Sequence, residues 1–326
     1  MHISGKKILI TGGLGFIGSN LARRLLHFDN TVTVVDSLIP EYGGNLRNLH
    51  DLRDKIVVNL SDVRDPFSIN ELIKDQDYLF NLAGQTSHLD SMNDPFTDLD
   101  INAKAQLSIL EACRKNNPNI RIVFASTRQI YGKPQYLPVD EKHPLNPVDV
   151  NGINKIAGEQ YHLLYNDIHG IRSSVLRLTN TYGPRMRIKD ARQTFLGIWI
   201  RNLIEKKPIQ VYGDGQQRRD YNYVDDLVDA LILGASESKA IGKVYNLGAP
   251  DPMSLSETAK IMCHGIEGAS WNLVPFPEAR KAIDVGDFTC DYRSLSTTFG
   301  WEPKIKFEEG IKKSLEYFRT EFEHYI

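Results

Sequence analysis

The first half of the chain alternates between two patterns of apolar and polar residues: short apolar runs and longer amphipathic stretches. Short, almost continuously apolar runs rich in valine and isoleucine predict strands: KKILIT, TVTVVD, KIVVNL, DYLFNLA, IRIVFAST and IRSSVLRL. Amphipathic stretches predict helices at residues 15–27, 66–74 and 96–116, and a fourth from Asn151 to about His169. Strands without a polar face, alternating with helices, are typical of a parallel sheet covered on both sides.

The pattern changes after about residue 180, where proline and glycine become frequent and strands such as IQVY and KVYNLG are short. We therefore predict an α/β fold in two parts. Residues 1–180 are expected to form a doubly wound parallel Rossmann sheet to which later segments return. Residues 181–326 are expected to form mainly a smaller mixed α/β lobe for the substrate.

Composition narrows the possible partners. The net charge of −2 and the lack of a basic stripe argue against nucleic acid, and no apolar run approaches the ~20 residues that cross a membrane. The N-terminus enters a strand directly, without the apolar core of a signal peptide. Three widely separated cysteines suit reduced thiols, so we expect a cytoplasmic protein.

A glycine-rich loop, TGGLGFIGS, lies between the first predicted strand and the first predicted helix. Gly13, Gly15 and Gly18 match the G-x-G-x-x-G fingerprint of dinucleotide sites, and Gly12, Gly15 and Gly18 match its close variant. Such loops bring the backbone and a helix N-terminus close to a pyrophosphate. Asp36 ends the second strand, where an acid binds ribose hydroxyls and repels a 2′-phosphate, so we expect NAD rather than NADP.

With this loop in place, the chain resembles the extended short-chain dehydrogenase/reductases, the group of nucleotide-sugar epimerases and dehydratases. The resemblance covers nearly the whole chain and includes TGGLGFIGSN, STRQIYG, LRLTNTYGPRM and GDGQQRRDYNYVDDL. It implies NAD as cofactor, a nucleotide-diphosphate sugar as substrate, no metal, and a homodimer that pairs through the helices at about 96–116 and 151–169.

The resemblance also implies roles for particular residues. Its cofactor-binding positions correspond here to Gly12, Gly15, Phe16, Ile17, Gly18, Asp36, Asp62, Val63, Leu82, Ala83, Gly84, Asn102 and Lys155. Its substrate-binding positions correspond to Gln85, Thr127, Asn180, Arg219 and Arg280. Among these, Asn180 and Arg219 are expected at the phosphates, since guanidinium groups suit bidentate phosphate contacts.

The sequence departs from the family at its catalytic signature, Tyr-x-x-x-Lys. Lys155 fits the lysine, but Asn151 occupies the position of the tyrosine. In relatives the lysine binds the nicotinamide ribose and lowers the tyrosine pKa, so that the tyrosinate takes the proton of the sugar hydroxyl. An amide cannot serve as that base near neutral pH. General acid–base catalysis contributes ~10²–10⁴ in rate.

Three explanations for the missing tyrosine stay open. His88 can supply the base, although a histidine that only supports its loop fits the same sequence, and Asp149 is nearer but suits the cap of the helix. A proton path through Thr127, a water molecule and the ribose beside Lys155 needs no tyrosine. The third explanation is a protein that binds its ligands and turns over poorly.

A second departure follows Thr127. The 4,6-dehydratases of the family carry Asp-Glu there and the decarboxylases a glutamate at the second position, whereas this chain has Arg128 and Gln129. We therefore expect oxidation at sugar C4, followed by epimerisation or release of a 4-keto sugar, with Thr127, Lys155, Asn151 and His88 as catalytic candidates. A dehydratase or decarboxylase with a changed acid–base set is the alternative, and an NAD(H)-binding protein without catalysis is the rival of another class.

Overall fold

The computed structural model describes residues 3–326 and is built around one seven-stranded parallel sheet. The strands are β1 (Lys7–Thr11), β2 (Thr31–Val35), β3 (Val57–Asn59), β4 (Tyr78–Asn81), β5 (Arg121–Thr127), β6 (Arg172–Leu178), β7 (Asn180–Tyr182), β8 (Ile209–Tyr212), β9 (Arg218–Arg219), β10 (Tyr221–Tyr223), β11 (Val244–Leu247), β12 (Met253–Ser254) and β13 (Trp271–Val274). In the large sheet the order is β11-β6-β5-β4-β1-β2-β3, and every pairing is parallel.

Helices cover both faces of this sheet. They are α1 (Phe16–Leu26), α2 (Pro66–Leu72), α3 (His88–Asn93), α4 (Pro95–Leu99), α5 (Ala105–Asn116), α6 (Val150–His169), α7 (Phe195–Ile204), α8 (Val224–Ser236), α9 (Leu255–Cys263), α10 (Glu278–Lys281), α11 (Arg293–Phe299) and α12 (Phe307–Glu321). Within residues 3–326, no helix has the length and apolar character that a membrane crossing requires.

The apolar strands explain the layered arrangement. Successive side chains of a strand point to opposite faces, so Ile8 and Ile10 of β1 belong to one buried cluster and Leu9 to another. The first cluster includes Leu21 of α1, and the second includes Ile109 of α5. The predicted doubly wound α/β fold is therefore confirmed.

One predicted helix is interrupted. The stretch expected as a single helix at 96–116 begins at Pro95 and consists of α4, a π-helical turn (Asp100–Lys104) and α5. The amphipathic pattern does not distinguish these, because a π turn inserts one residue without ending the helix. Asn102 lies inside the π turn and is fully buried.

The later half of the chain forms small two-stranded sheets and also contributes to the main layer. β8 pairs with β13, β7 with β10 and β9 with β12. In contrast, α8 packs on β5 and β6, and β11 adds an edge strand beside β6. The segments after residue 180 are thus shared between a small mixed unit and the large sheet.

Candidate functional site

The predicted site residues lie at the carboxyl edge of the large sheet. β1 and β4 are neighbours there, and they are the point where the strand order reverses, which is where ligands bind in open α/β sheets. A cleft of about 630 Å³ lies at this edge, and a narrower pocket of about 120 Å³ adjoins it. Both are lined by Phe16, Ile17, Leu82, Gly84, Thr86 and Gln193.

The glycine loop has a shape that only glycine permits. Gly12 has a φ of +68°, and a Cβ atom on Gly18 would lie 2.3 Å from the carbonyl oxygen of Gly12. The first turn of α1 therefore packs directly on the loop, as close approach of a pyrophosphate to the helix N-terminus requires.

Asp36 lines the narrow pocket. Its carboxylate accepts hydrogen bonds from the backbone of Leu14 (3.1 Å) and Leu38 (2.9 Å). Burial raises its pKa above the ordinary value, although these two hydrogen bonds oppose the shift. Asp62 shares the pocket and is held by Arg64 at 2.6 Å.

Most predicted cofactor residues line this narrow pocket. They are Gly12, Gly15, Phe16, Ile17, Gly18, Asp36, Asp62, Val63, Leu82, Ala83 and Gly84. Lys155 lines the large cleft instead. Asn102 is among the lining residues of neither cavity, and its Nδ2 donates to the Gln85 carbonyl at 2.9 Å. The loop, the acid and the close-packed Gly84 together fit a dinucleotide.

Helix α6 sets the position of Lys155. Asp149 caps the helix by accepting from the Gly152 backbone at 2.7 Å, which fixes the start of α6 and the direction of its first turns. Lys155 is buried, and its Nζ donates to the Ala125 carbonyl at 3.0 Å. A Cβ atom on Gly84 would lie 3.2 Å from this Nζ, so the ammonium group faces the strip that follows β4. Burial lowers the pKa of Lys155 to about 8, although Asp98 opposes the shift.

Asn151 is also buried, one turn before Lys155, and both of its amide protons are used. Its Nδ2 donates to the Gln85 carbonyl at 2.8 Å and to Oδ2 of Asp98 at 3.0 Å. Asn154 donates to the other oxygen of Asp98 at 2.8 Å. The asparagine is therefore part of a satisfied network around a fully buried carboxylate and not a truncated remnant.

The resemblance places a tyrosine at Asn151, and another phenol would have to line the large cleft to replace it. Among residues 3–326, Tyr212 is the only tyrosine that lines the large cleft. Its ring lies 5.6 Å from that of Phe276 and 6.0 Å from the guanidinium of Arg280, toward the later segments of the chain.

His88 and Asp149 form a close pair beside Asn151. Nδ1 of His88 lies 2.9 Å from Oδ2 of Asp149, an ion-pair distance without the angle of a well-directed hydrogen bond. Gln129 donates to the same oxygen at 2.9 Å. Burial raises the pKa of Asp149, but the contacts with His88, Gly152 and Gln129 outweigh it, so its pKa lies below the ordinary value. Asp149 thus caps α6 and fixes His88 at once, while about a third of the His88 side chain is exposed to the cleft.

Thr127 closes β5 and lines the cleft, and its hydroxyl accepts from the Gln129 backbone at 3.3 Å. Arg128 and Gln129 follow in a 3₁₀ turn and line the cleft as well. Neither side chain can donate and remove protons as a carboxyl group does. The two positions at which the sequence lacks the acids of the dehydratases and decarboxylases therefore both face the cleft.

The remaining predicted substrate residues lie along the same cleft. Asn180 donates to the Asp220 carbonyl at 3.1 Å, and Gln85 is buried with an unpartnered Oε1. Arg219 is buried and lies 3.7 Å from Asp284. Arg280 lines the cleft too, and none of the ion pairs within 4.0 Å among residues 3–326 includes it.

Several residues of the site were not found from the sequence. Asp98 looks like a solvent-facing acid of an amphipathic helix, and only the packing of α4 on α6 buries it. Thr86 and Gln193 line both cavities without belonging to a motif. Among residues 3–326, no cluster of three or more histidine, cysteine, aspartate or glutamate side chains could hold a metal ion.

The chain is similar to proteins of a known enzyme family. Residues 8–248 match the family described as "NAD dependent epimerase/dehydratase family". The chain is 31% identical over 324 residues to UDP-glucuronic acid decarboxylase 1 of Xenopus tropicalis, covering 98% of this chain and 73% of that protein. It is 29% identical over 317 residues to the UDP-glucose 4-epimerase of Mycolicibacterium smegmatis, covering 96% and 99%.

Among solved structures, UDP-glucose 4-epimerase of Thermotoga maritima with UDP-glucose superposes with a TM-score of 0.87 at 29% identity. The match covers 97% of this chain and 99% of that one.

Proposed function

The chain belongs to the NAD-dependent epimerase/dehydratase family, and we propose that it oxidises C4 of a nucleotide-linked sugar and returns the hydride to give the C4 epimer. The observation that carries this proposal is the convergence of the dinucleotide loop, Thr127 and Lys155 on one cleft, without an acid at positions 128 and 129. Membership of this family shows that the chain is an enzyme of this class and that its cofactor is NAD. The particular reaction and the roles of the residues are our proposal.

Lys155 and Thr127 orient the reacting groups. NAD, when bound, supplies the acceptor for the hydride that leaves C4. Lys155 holds the ribose next to Gly84, because its ammonium group already faces that strip. Thr127 holds the C4 hydroxyl, since it lines the cleft at the end of β5.

His88 takes the proton that the C4 hydroxyl loses. An imidazole backed by a carboxylate is a competent base near neutral pH, and Asp149 stabilises the imidazolium that forms. The pair lies beside Asn151, the position to which the resemblance assigns the family's tyrosine. Asn151 and Asp98 keep the Gln85 carbonyl and the start of α6 in place and do not exchange protons with the sugar.

The competing explanations make different demands. A relay through Thr127, water and Lys155 predicts that removing the His88 imidazole leaves turnover unchanged. A protein that binds without catalysis predicts no hydride exchange with any sugar. A dehydratase or decarboxylase must find an acid other than residues 128 and 129, and among the residues that line the cleft the carboxylates are Asp90, Asp190 and Asp284. Asp90 and Asp190 lie within 4.0 Å of Arg192, and Asp284 of Arg219.

The test is incubation of the purified protein and NAD with a panel of nucleotide sugars, followed by mass spectrometry and NMR. An unchanged mass with inversion at C4 supports the proposal. Loss of one water identifies a dehydratase, loss of CO₂ a decarboxylase, and binding without any exchange a non-catalytic protein.

We also propose a homodimer in the cytoplasm. Exposed apolar side chains lie on α4 and α6, where Phe96, Ile153, Leu164 and Ile168 are between 53% and 77% accessible. The cysteines are free. Sedimentation equilibrium of the wild type and of Ile168→Lys tests the dimer, because a charge on this surface is expected to shift the mass toward the monomer.

A further inference from the structure

The segment between β7 and α7 touches both cavities of the site. Residues 184–194, called the strap from here on, follow the short strand β7 and end where α7 begins. The last five residues of the strap line the large cleft, and one of them, Gln193, also lines the narrow pocket. A ligand in either cavity is therefore in reach of the same short piece of chain.

The strap starts on the helix that follows the glycine loop. Nδ2 of Asn20, in α1, donates to the Pro184 carbonyl at 3.0 Å, and Nη1 of Arg185 donates to Oδ1 of Asn20 at 2.7 Å. Met186 and Ile188 are fully buried in the main core cluster. The first half of the strap is thus fixed by packing as well as by hydrogen bonds.

Arg187 joins the strap to the loop after β2. Its Nη1 donates to the Pro40 carbonyl at 2.7 Å, while its Nε and Nη2 donate to the two carboxylate oxygens of Asp190 at 2.8 and 2.7 Å. The Arg187 side chain is only 9% exposed. Ile39 and Tyr42, which flank Pro40 in the chain, line the narrow pocket. Arg187 therefore holds a loop that borders the dinucleotide site.

A second arginine joins the strap to α3. Nε of Arg192 lies 3.0 Å from Oδ2 of Asp90, and its Nη1 lies 3.7 Å from Asp190. The side chains of Arg192 and Asp90 are 39% and 28% exposed, so this ion pair is weakened by solvent and opens more easily than the contacts of Arg187.

The order of the strands shows what lies between these two contacts. Pro40 is in the loop after β2, and α3 follows β4; β2 and β4 are the neighbours of β1 on its two sides. The carboxyl ends of parallel strands lie at one edge of the sheet, and the glycine loop follows β1 at that edge. The strap therefore connects the two sides of the dinucleotide loop.

We propose that the strap couples the two cavities, so that a nucleoside diphosphate in the large cleft slows the release of the dinucleotide from the narrow pocket. Release requires the loop at Pro40 to move, and Arg187 resists this movement. A ligand against residues 190–194 keeps Asp190, the partner of Arg187, in place. The inference rests on the proposed function only for the class of ligand in the large cleft. By linkage, the dinucleotide must strengthen binding of that ligand by the same factor.

The experiment measures the release of NADH from the loaded protein by stopped-flow fluorescence after mixing with excess NAD. Release is measured without a nucleotide and with UDP, dTDP, CDP or GDP, whose binding is measured separately by calorimetry. We expect the nucleotide that binds to slow the release about 5- to 150-fold, the usual range of coupling between two sites.

Two sets of variants test the contacts of the strap. Arg187→Gln is expected to speed NADH release about 10- to 100-fold, the range for hydrogen bonds of a charged group, and to remove the effect of the nucleotide. Arg192→Asp at the more exposed contact is expected to speed release about two- to fivefold. Adding Asp90→Arg to that variant is expected to restore the wild-type rate, because the ion pair is rebuilt with its charges exchanged. Arg293→Gln is the control, since Arg293 is 81% exposed and pairs with an aspartate of its own segment.

Either of two results overturns the inference. One is a nucleotide that binds to the wild type and leaves NADH release unaltered. The other is release from Arg187→Gln and from Arg192→Asp at the rate of the Arg293→Gln control. Nucleotide sugars that bind and slow the release of NADH but are not converted would support the strap and contradict the proposed function, so the two proposals fail separately.

Discussion

Lys155 gives a prediction in which stability and activity move in opposite directions. Its pKa falls from the usual 10.5 to about 8, because burial disfavours the charged form. Between these two values the folded protein binds fewer protons than the unfolded chain. Stability from this group therefore rises with pH from about 8 to 10.5 and is lowest and constant below 8.

The size of the effect follows from the shift. The difference of 10.5 − 8 corresponds to about 3 kcal/mol of destabilisation at pH 7, at 1.36 kcal/mol per pKa unit. Lys155→Met removes this cost but leaves the Ala125 carbonyl without its donor, a loss of about 1 kcal/mol. The cofactor-free variant should thus be more stable than wild type by about 2 kcal/mol at pH 7, and less stable by about 1 kcal/mol near pH 10.5.

Urea unfolding of the cofactor-free protein at pH 7, 8.5, 9.5 and 10.5 measures this difference. Lys142→Met, at an exposed lysine, is the control and should show little change at any pH. A variant less stable than wild type at pH 7, or a difference that does not change with pH, would refute the reasoning. In parallel, NAD-dependent turnover should be lost in Lys155→Met, since the group that orients the ribose is gone.

Other substitutions test the remaining parts of the site. His88→Gln should lower kcat by ~10²–10⁴ while His264→Gln, at an exposed histidine, leaves it unchanged; equal rates for both variants would favour the water relay. Asn151→Tyr should lower turnover and reduce the free energy of unfolding by about 1–3 kcal/mol, because the larger ring does not fit beside Asp98 without displacing it. A gain of turnover would indicate a decayed site. Asp36→Ala should weaken NAD binding about tenfold and reduce the discrimination against NADP in fluorescence titrations, whereas unchanged discrimination would remove Asp36 from cofactor selection.

The fold was predictable because its physical causes are local. Strands buried on both faces must be apolar throughout, and the glycine loop must follow the first of them, so β1 and α1 are visible in the sequence. The π turn was not visible, because Asn102 fits a regular helix equally well until α6 packs against it.

The site was predictable only where a residue belongs to a motif. Lys155 follows from its spacing to Asn151, but the partner of Asn151 is Asp98, which is 53 residues away and lies on a different helix. The contact of His88 with Asp149 could not be predicted for the same reason: the sequence contains both residues but does not show that they lie close together. Pairs between distant segments depend on tertiary packing, which no local pattern encodes.

The shared carboxylate of Asp98 also constrains how this protein can change over evolutionary time. The side-chain amides of Asn151 and Asn154 both donate hydrogen bonds to this carboxylate. Replacing any one of the three residues therefore leaves a buried polar group without its partner. A tyrosine at position 151 removes one donor from this carboxylate and is therefore best accommodated when Asp98 changes as well. The three positions should therefore vary together among descendants of this sequence, and an intermediate with only one of them altered should be rare.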